Sequence, residues 1–383
     1  MRHRTQPGGL PKRPGWTNSE NLLSSWSGQL NTRAGNEIRI KGEKMLKIDA
    51  FNHVLPDRFL KALPGGSRYV PSKQGSEGDR LALHDLDTRF RIMDRFDGYV
   101  QIICMAEPPV EDVGNGSSAY ELARIANDSM AEMVAKYPDR FIAAAACLPM
   151  NDMDNALTEL DRAVRDLKFK GVQISSTISD KSLDSPEFDP FFAKMNAYNL
   201  PILIHPRHRR SGSRAYSPYA DAGQVLRPAE TLGGWPFNWA YETTLAMGSL
   251  VFGGVLKKYR NLKILTHHLG GLLPYQAIRI KRVELALSAD ERDRVGREMG
   301  VYEWYQMLYG DTALWGNTPA LECGLKFFGP DHVLFASDMP FGLRGGEGFI
   351  RNAIESIDEV DMTPQDRAKI YELNARKLFC LPI

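Results

Sequence analysis

Residues 48–56 have the sequence IDAFNHVLP, which is the pattern of a β-strand that ends near a histidine. The first residues are mostly apolar, as in a buried β-strand, and Pro56 stops the strand because proline cannot donate a ladder hydrogen bond. His53 therefore lies at the carboxyl-terminal tip. A distant run, PILIHP at 201–206, delivers His205 to a strand tip in the same way.

Strand-like runs of this kind recur from Met45 onward. Most are nearly continuous in apolar residues rather than alternating, which is typical of strands covered on both faces. Helical patterns lie between them, such as the stripe formed by Leu86, Phe90, Met93 and Phe96. Strands that alternate with helices predict a (β/α)8 barrel, with a doubly wound sheet as the alternative. The eight predicted strands are residues 46–51, 99–106, 141–149, 171–176, 201–206, 262–268, 308–314 and 333–338.

Composition excludes several classes of protein. The chain has 383 residues and a formal net charge of +1, which gives no indication of a nucleic-acid partner. No apolar run approaches the roughly 18–20 residues of a membrane span. The four cysteines, Cys104, Cys147, Cys323 and Cys380, form no CxxC pair, and the first two lie in apolar strand-like runs. Reduced core thiols and a cytoplasmic location are therefore expected.

The first 44 residues differ from the rest. They are rich in Arg, Gly, Pro, Ser and Asn, have no sustained periodicity, and lack the apolar core of a secretory signal. We interpret residues 1–44 as a flexible arm that can pack on a partner. Residues 45–383 contain no low-complexity linker, and they are predicted to form a single barrel domain.

Polar residues at the predicted strand tips indicate a site. His53 ends the first strand, His205 the fifth, His267 and His268 the sixth, and Asp338 the eighth. In a (β/α)8 barrel the carboxyl-terminal tips of the strands converge on one mouth, where catalytic residues are found. Two or more imidazoles with a carboxylate form a suitable ligand set for a divalent ion that keeps open positions for water or substrate.

The chain resembles the amidohydrolase-related family that includes 2-amino-3-carboxymuconate-6-semialdehyde decarboxylase and γ-resorcylate decarboxylase. The resemblance runs from about Lys47 to the C-terminus. Each matching stretch is a weak pattern by itself, but their order and spacing are specific. The stretches are MDRFDGYVQIIC (93–104), the segment 168–206 that ends in PILIHP, the segment 241–280 that contains ILTHHLGGLLP, LFASDMPFG (334–342) and NARKLF (374–379).

The number and type of candidate ligands predict one divalent metal ion, with zinc preferred and manganese or iron as alternatives. The resemblance implies that His205 and Asp338 are ligands, and that His53 is the second histidine of a first-strand His-x-His pair. His268, six residues before Pro274, would be the acid/base group and lie near or in the ligand shell. Asp338 would also act in catalysis.

Phe51 departs from this pattern, because it occupies the first position of the pair and phenylalanine cannot coordinate a metal. Three consequences remain open. The ion can be held by the surviving ligands, His208 or His267 can take the vacant place, or the site can be degraded to leave a structural subunit. We rank the mononuclear ion first, since three protein ligands suffice for catalytic zinc. If His268 points into the barrel, strand alternation predicts that His267 points outward.

Three further features have two interpretations each. Arg279 either faces a substrate carboxylate, as implied by the resemblance, or lies on a solvated helix face. Asp49 is expected to orient other groups rather than act as a base. Residues 208–239 form a long loop whose Trp235 and Phe237 can line the pocket or a subunit contact.

The predicted function is a metal-dependent, non-oxidative decarboxylase, or a hydrolase, that acts on a small carboxylic acid. In this interpretation His268 moves a proton at the reacting carbon and Arg279 binds the carboxylate. The alternative is a supporting subunit in a hetero-oligomer whose paralogous partner carries the full metal site, with an oxygenase or hydroxylase activity on a small amino or carboxylic acid. A homo-oligomer or a hetero-oligomer is expected in either case.

Overall fold

The computed structural model describes residues 45–64, 80–207, 237–342 and 344–382. The predicted arm at 1–44, His208, Trp235 and most of the long loop lie outside the described residues. The predictions made for them, and the domain boundary at residue 45, therefore stay predictions.

Eight parallel strands form a sheet in which each strand pairs with the next one in the chain. Three backbone hydrogen bonds join the first strand to the residues that follow the last one and close the sheet: Ala50 N to Phe335 O, His53 N to Met339 O, and Asp338 N to Phe51 O. The (β/α)8 barrel is confirmed, because a doubly wound sheet would neither follow chain order nor close. The strands are β1 (Lys47–Val54), β2 (Tyr99–Met105), β3 (Phe141–Cys147), β4 (Gly171–Ser175), β5 (Pro201–His205), β6 (Lys263–Thr266), β7 (Tyr309–Asp311) and β8 (Val333–Leu334).

Helices connect the strands and cover the barrel, as the crossover geometry of parallel strands requires. Among the described residues the α-helices are Asp57–Ala62, Leu86–Met93, Val110–Val113, Ser117–Lys136, Met153–Arg165, Asp189–Tyr198, Trp239–Phe252, Val255–Lys258, Ala277–Val283, Ala289–Val295, Val301–Gln306, Thr318–Phe328, Glu347–Glu359, Pro364–Ala368 and Asn374–Leu378. A π-helix, Lys369–Leu373, and short 3-10 turns such as His268–Gly270 lie between them.

Two apolar layers hold this architecture together. The outer layer lies between the strands and the helices. The inner layer fills the barrel with side chains such as Ile48, Ile102 and Leu265, and residues of the C-terminal segment, including Leu378 and Phe379, close its far end. The barrel is therefore a packed core.

A β-bulge in β1 decides which side chains reach the mouth. Asp49 pairs with Gln101, but Asn52 pairs with Ile103, so three steps along β1 match two along β2. Ile48 and Ala50 belong to the inner layer, and regular alternation would next point Asn52 inward. The extra residue shifts the alternation by one, so Phe51 joins the inner layer and His53 follows it to the mouth.

Arg89 fixes the bulge from behind. Its guanidinium donates hydrogen bonds to Asn52 Oδ1 (2.7 Å), His53 O (2.7 Å), Ala82 O (3.0 Å) and Gln101 Oε1 (2.8 Å), and the side chain is fully buried. Burial lowers its pKa to about 10, so it stays charged at neutral pH. The buried face of its helix is therefore centred on Arg89, Ile92 and Met93, while the predicted stripe residues Leu86 and Phe90 are half-buried.

The prediction of free cysteines is confirmed for all four residues. None forms a disulfide, and Cys104 and Cys147 are buried. No helix within the described ranges combines the length and the apolar character that a membrane span needs.

A candidate metal centre at the carboxyl ends of the strands

Four side chains from different strands meet at the barrel mouth. His53 comes from the end of β1 and His205 is the last residue of β5, while His267 directly follows β6 and Asp338 follows β8. Ring centroids of His53 and His205 lie 5.0 Å apart, and those of His205 and His267 lie 5.5 Å apart. The structure therefore brings together the predicted residues His53, His205 and Asp338, although their role as ligands stays a prediction.

His53 presents one ring nitrogen to this cluster. Its Nδ1 lies 3.2 Å from Met105 O, and because a carbonyl can only accept, Nδ1 carries the proton. Its Nε2 points the other way, 3.2 Å from Asp338 Oδ1, and has no hydrogen-bond donor. This buried nitrogen, which has no hydrogen-bond partner, is the one that His53 can offer to a metal ion.

The expected orientation of His267 was wrong. Its ring is fully buried in the cluster, with Nδ1 2.5 Å from Asp311 Oδ2 and Nε2 3.4 Å from Asp338 Oδ1. Side chains do alternate along β6, but the residue that points into the barrel is Leu265. His267 lies two residues later and therefore points inward as well. Burial alone would lower the pKa of His267, but the charges of Asp311 and Asp338 and the hydrogen bonds to them raise it to about 10. The pocket between the two carboxylates therefore stabilises positive charge.

His268 reaches the mouth by a different route. The strand has ended, and His268 and Leu269 both adopt left-handed backbone conformations (φ 52° and 54°) that turn the chain. Its Nε2 lies 3.8 Å from Asp338 Oδ2, which is too long for a hydrogen bond, and neither ring nitrogen has a partner. Burial and the neighbouring His267 lower the pKa of His268. His268 therefore lies beside the cluster as a neutral imidazole with both nitrogens available.

Asp338 is the centre of the arrangement. It is 2% exposed and has a left-handed backbone conformation (φ 64°), which is rare for a residue other than glycine and typical of functional sites. Burial raises the pKa of Asp338, but the imidazole rings of His267, His268 and His53 beside it outweigh burial and hold the pKa well below its usual range. The side chain is therefore a carboxylate, and its Oδ2 has no hydrogen-bond partner.

Phe51 forms the apolar wall of the cluster. Its ring is fully buried and stacks on His267, with centroids 4.0 Å apart and planes inclined by 16°. It also meets His53 edge-on at 5.6 Å. The first-strand position thus supplies packing instead of a donor atom, as the sequence predicted.

The donor atoms fit a metal ion. His53, His205 and His267 each offer a nitrogen within 4.8 Å of the others, and His267, His268 and Asp338 form a second such group. His53 Nε2 and Asp338 Oδ2 are buried polar atoms without hydrogen-bond partners, an arrangement that costs free energy unless a ligand satisfies it. Imidazole nitrogen with a carboxylate suits zinc, manganese and iron alike.

Asp49 lies behind the centre. Its carboxylate accepts hydrogen bonds from the hydroxyls of Tyr99 and Ser337 and from the backbone N–H of Ser337 (3.1 Å). Burial raises its pKa to about 6, and these hydrogen bonds limit the rise. Because Ser337 precedes Asp338, Asp49 ties β1 to the segment that carries the central carboxylate.

Arg279 does not reach the centre in the described part of the chain. It is exposed on the helix Ala277–Val283, and no contact joins it to the histidine cluster there. Its predicted role stays a prediction. Sequence reasoning missed Asp311, the last residue of β7, although the strand-tip rule that identified Asp338 applies equally to Asp311.

A cavity opens beside His205 over the ends of β2, β4 and β5. Polar groups in its lining include Glu111, Gln173 and Ser175. Burial raises the pKa of Glu111 to about 7, and Ser175 Oγ donates a hydrogen bond of 3.3 Å to its carboxyl group. The cavity has a volume of about 30 Å³, room for about one water molecule, so it places apolar and hydrogen-bonding groups next to the centre without holding a larger molecule.

Comparisons with known proteins agree with this geometry. The profile of the family described as Amidohydrolase matches residues 48–381. The chain is 30% identical over 328 residues to γ-resorcylate decarboxylase of Rhizobium sp. (strain MTP-10005), covering 84% of this chain and 95% of the relative. It is 28% identical over 339 residues to 2-amino-3-carboxymuconate-6-semialdehyde decarboxylase of Dictyostelium discoideum, covering 84% and 89%. The crystal structure of a dihydroxybenzoic acid decarboxylase from Polaromonas sp. JS666, with manganese and the inhibitor 2-nitroresorcinol bound, superposes with a TM-score of 0.73 at 27% identity, covering 88% of this chain and 97% of that one.

Proposed function

The chain belongs to the amidohydrolase family, and from this premise we propose that it is a metal-dependent decarboxylase of a small aromatic carboxylic acid. The observation that carries the proposal is that His53 at the barrel mouth lies beside both other predicted ligands, with its Nε2 3.2 Å from Asp338 Oδ1 and its ring 5.0 Å from that of His205, in a chain whose relatives along most of its length are decarboxylases. The supporting-subunit alternative receives no such support.

The proposed cofactor is one divalent ion, held by His53, His205 and Asp338, with His268 at or next to the ligand shell. When bound, the ion supplies positive charge that withdraws electron density from a substrate oxygen. The preference for zinc drawn from the sequence is not supported, since the solved decarboxylase of Polaromonas carries manganese. The donor atoms accept either ion, so the proposal is one divalent ion without a zinc preference.

The reaction requires the chain's own residues to supply one proton to the substrate. When the bond between the ring carbon and the carboxylate breaks, its electron pair stays on the ring carbon, carbon dioxide leaves, and that carbon takes a proton. No redox change occurs. We assign the proton to His268, because both its ring nitrogens lack partners and it faces Asp338 at 3.8 Å. Burial lowers the pKa of His268, and the carboxylate of Asp338 opposes this by favouring the protonated imidazole, which is the form that can deliver the proton.

Substrate binding is assigned to the cavity beside His205. Glu111, Gln173 and Ser175 can hydrogen-bond ring hydroxyls there, and because the cavity of about 30 Å³ is smaller than an aromatic acid, binding requires its walls to move apart. Arg279 as the carboxylate-binding group requires an approach from outside the described mouth, since its side chain is exposed. An Arg279→Ala variant with a raised KM and an unchanged kcat would support that role.

Oligomer formation is part of the proposal. Tyr275, Ile278 and Leu285 are each more than two-thirds exposed on and around the helix Ala277–Val283. Large apolar side chains clustered at the surface are typical of protein–protein contacts. We propose a homo-oligomer, and a size measured by light scattering that equals one chain would contradict it.

The experiment is a decarboxylation assay on the purified chain. The chain is stripped with a chelator, reloaded with manganese or zinc, and incubated with 2,6-dihydroxybenzoate and a panel of related hydroxybenzoates. The proposal predicts carbon dioxide and the decarboxylated phenol in equal amounts from the reloaded chain only. His268→Asn should lower kcat by about 100- to 10,000-fold while the metal is retained. Turnover that survives stripping, or no turnover of any aromatic acid, would overturn the proposal.

A further inference from the structure

We propose that His267, and not His268, is the third imidazole of the metal centre, with Asp311 as the carboxylate that orients it. The inference rests on the proposed metal-dependent function and changes the ligand set drawn from the sequence, which contained His268 and left His267 outside. It concerns this chain in particular, because Phe51 removes a donor from the first strand.

The distances between donor atoms separate the two histidines. His53, His205 and His267 form one group whose nitrogens lie within 4.8 Å of one another. The second group contains His267, His268 and Asp338, so His267 belongs to both and His268 to one. His267 therefore lies within 4.8 Å of donor atoms of His53, of His205 and of Asp338, so an ion bound among these residues has His267 within its reach.

The hydrogen bond to Asp311 prepares His267 for this role. Asp311 is fully buried, and its Oδ1 accepts the backbone N–H of Ala313 at 3.1 Å, which fixes the carboxylate. Its Oδ2 accepts from His267 Nδ1, so Nδ1 carries a proton and Nε2 is the nitrogen that faces the cluster. Histidines that bind metal ions almost always donate their other ring N–H to such a carboxylate or carbonyl. His268 has no such partner on either nitrogen.

Phe51 holds the ring of His267 in the orientation that this role requires. Its ring lies nearly parallel to that of His267 at 4.0 Å and prevents the imidazole from tilting away from the cluster. The first strand therefore contributes one donor, His53, and a wall that holds the donor of the sixth strand. The resulting set has three imidazoles and one carboxylate, and it leaves His268 free to carry the proton. Such a set still leaves an open position for substrate in an expanded coordination shell.

The competing explanation is a purely structural His267 that bridges Asp311 and Asp338 by hydrogen bonds and never binds metal. Both explanations predict that His267→Asn disturbs the site, so the readout has to report coordination. Cobalt(II) serves as the probe, because the visible absorption of its complexes changes when a nitrogen ligand is lost. The dissociation constant of manganese, measured by competition with a chelator, is the second readout.

The experiment compares His267→Asn with the matched variant His268→Asn at the adjacent residue. We expect His267→Asn to weaken manganese binding more than about 100-fold and to alter the cobalt spectrum. His268→Asn should change the dissociation constant of manganese by less than about threefold and leave the cobalt spectrum unchanged. Asp311→Asn is a milder variant that can be measured if His267→Asn does not fold. It should weaken manganese binding by about 10- to 100-fold.

The outcomes separate this inference from the proposed function. An unaltered cobalt spectrum in His267→Asn, or a loss of metal from His268→Asn alone, would overturn the inference and leave the metal-dependent decarboxylase intact. A wild-type chain that binds neither manganese nor cobalt would overturn both.

Discussion

Replacing Arg89 tests whether the buried arginine behind β1 positions the metal-binding tip. Arg89→Met keeps an unbranched side chain of similar length but removes four hydrogen bonds, two of them to Asn52 Oδ1 and His53 O inside the bulge. Each buried acceptor that loses its partner costs about 1 kcal/mol or more. Removal of the buried charge offsets part of this cost, so we expect a loss of about 3–4 kcal/mol in the free energy of unfolding.

Urea denaturation followed by circular dichroism measures this loss, and thermal unfolding should show a fall of roughly 7 °C at about 2 °C per kcal/mol. Because the bulge directs His53 to the mouth, metal retention against a chelator should fall as well. Arg89→Lys keeps the charge but loses the fork of donors, and it should give an intermediate loss.

Arg91→Met is the matched control, since Arg91 lies on the same helix, is exposed and donates a single hydrogen bond to Thr88. It should change the free energy of unfolding by less than about 0.5 kcal/mol. Equal denaturation midpoints and equal metal retention for Arg89→Met and Arg91→Met would refute the reasoning.

Three further predictions concern other parts of the chain. The pKa of Glu111 is raised from 4.5 to about 7 by burial, so the folded state binds the proton more tightly than the unfolded state and stability falls as pH rises across that window. As the pH rises from 4.5 to 7, the free energy of unfolding of Glu111→Gln should therefore increase by up to about 3 kcal/mol relative to that of wild type. A difference in urea midpoint that does not depend on pH would contradict this. Cys380 is exposed and Cys104 and Cys147 are buried, so a thiol reagent should give a fast phase that Cys380→Ser removes; a fast phase that persists would count against the burial pattern. Phe51→His should add a donor beside His53 and lengthen the time for which a chelator leaves the metal bound, and His205→Ala should shorten it; unchanged times for both would mean that no ion binds here.

The barrel could be predicted because each of its strands can be recognised from a short stretch of sequence. Each strand is a short apolar run bounded by polar or proline residues, and all eight predicted runs correspond to strands of the structure. The tip positions of His53, His205 and Asp338 follow from the same runs, since the carboxyl ends of parallel strands meet at one mouth. The family resemblance then implied a metal centre at those residues.

The parts that failed depend on register, which a sequence does not display. The β1 bulge inserts one residue into the alternation, and only the pairing of Asp49 and Asn52 with β2 reveals it. His267 was assigned to the outside because His268 was taken as the inward residue, whereas His268 lies beyond the strand in a left-handed turn. The predicted helix stripe did not include Arg89, and the burial of this side chain follows from the polar groups that the bulge leaves to be satisfied.

The central claim is that one divalent ion binds among the histidines and Asp338 at the barrel mouth. The most direct measurement is the metal-to-protein ratio by mass spectrometry, after loading with manganese and exhaustive dialysis, for wild type and Asp338→Asn. We expect about one ion per wild-type chain and a small fraction of that in Asp338→Asn, because Asp338 lies beside His53, His267 and His268. A wild-type ratio near zero, or equal ratios in the two proteins, would contradict it.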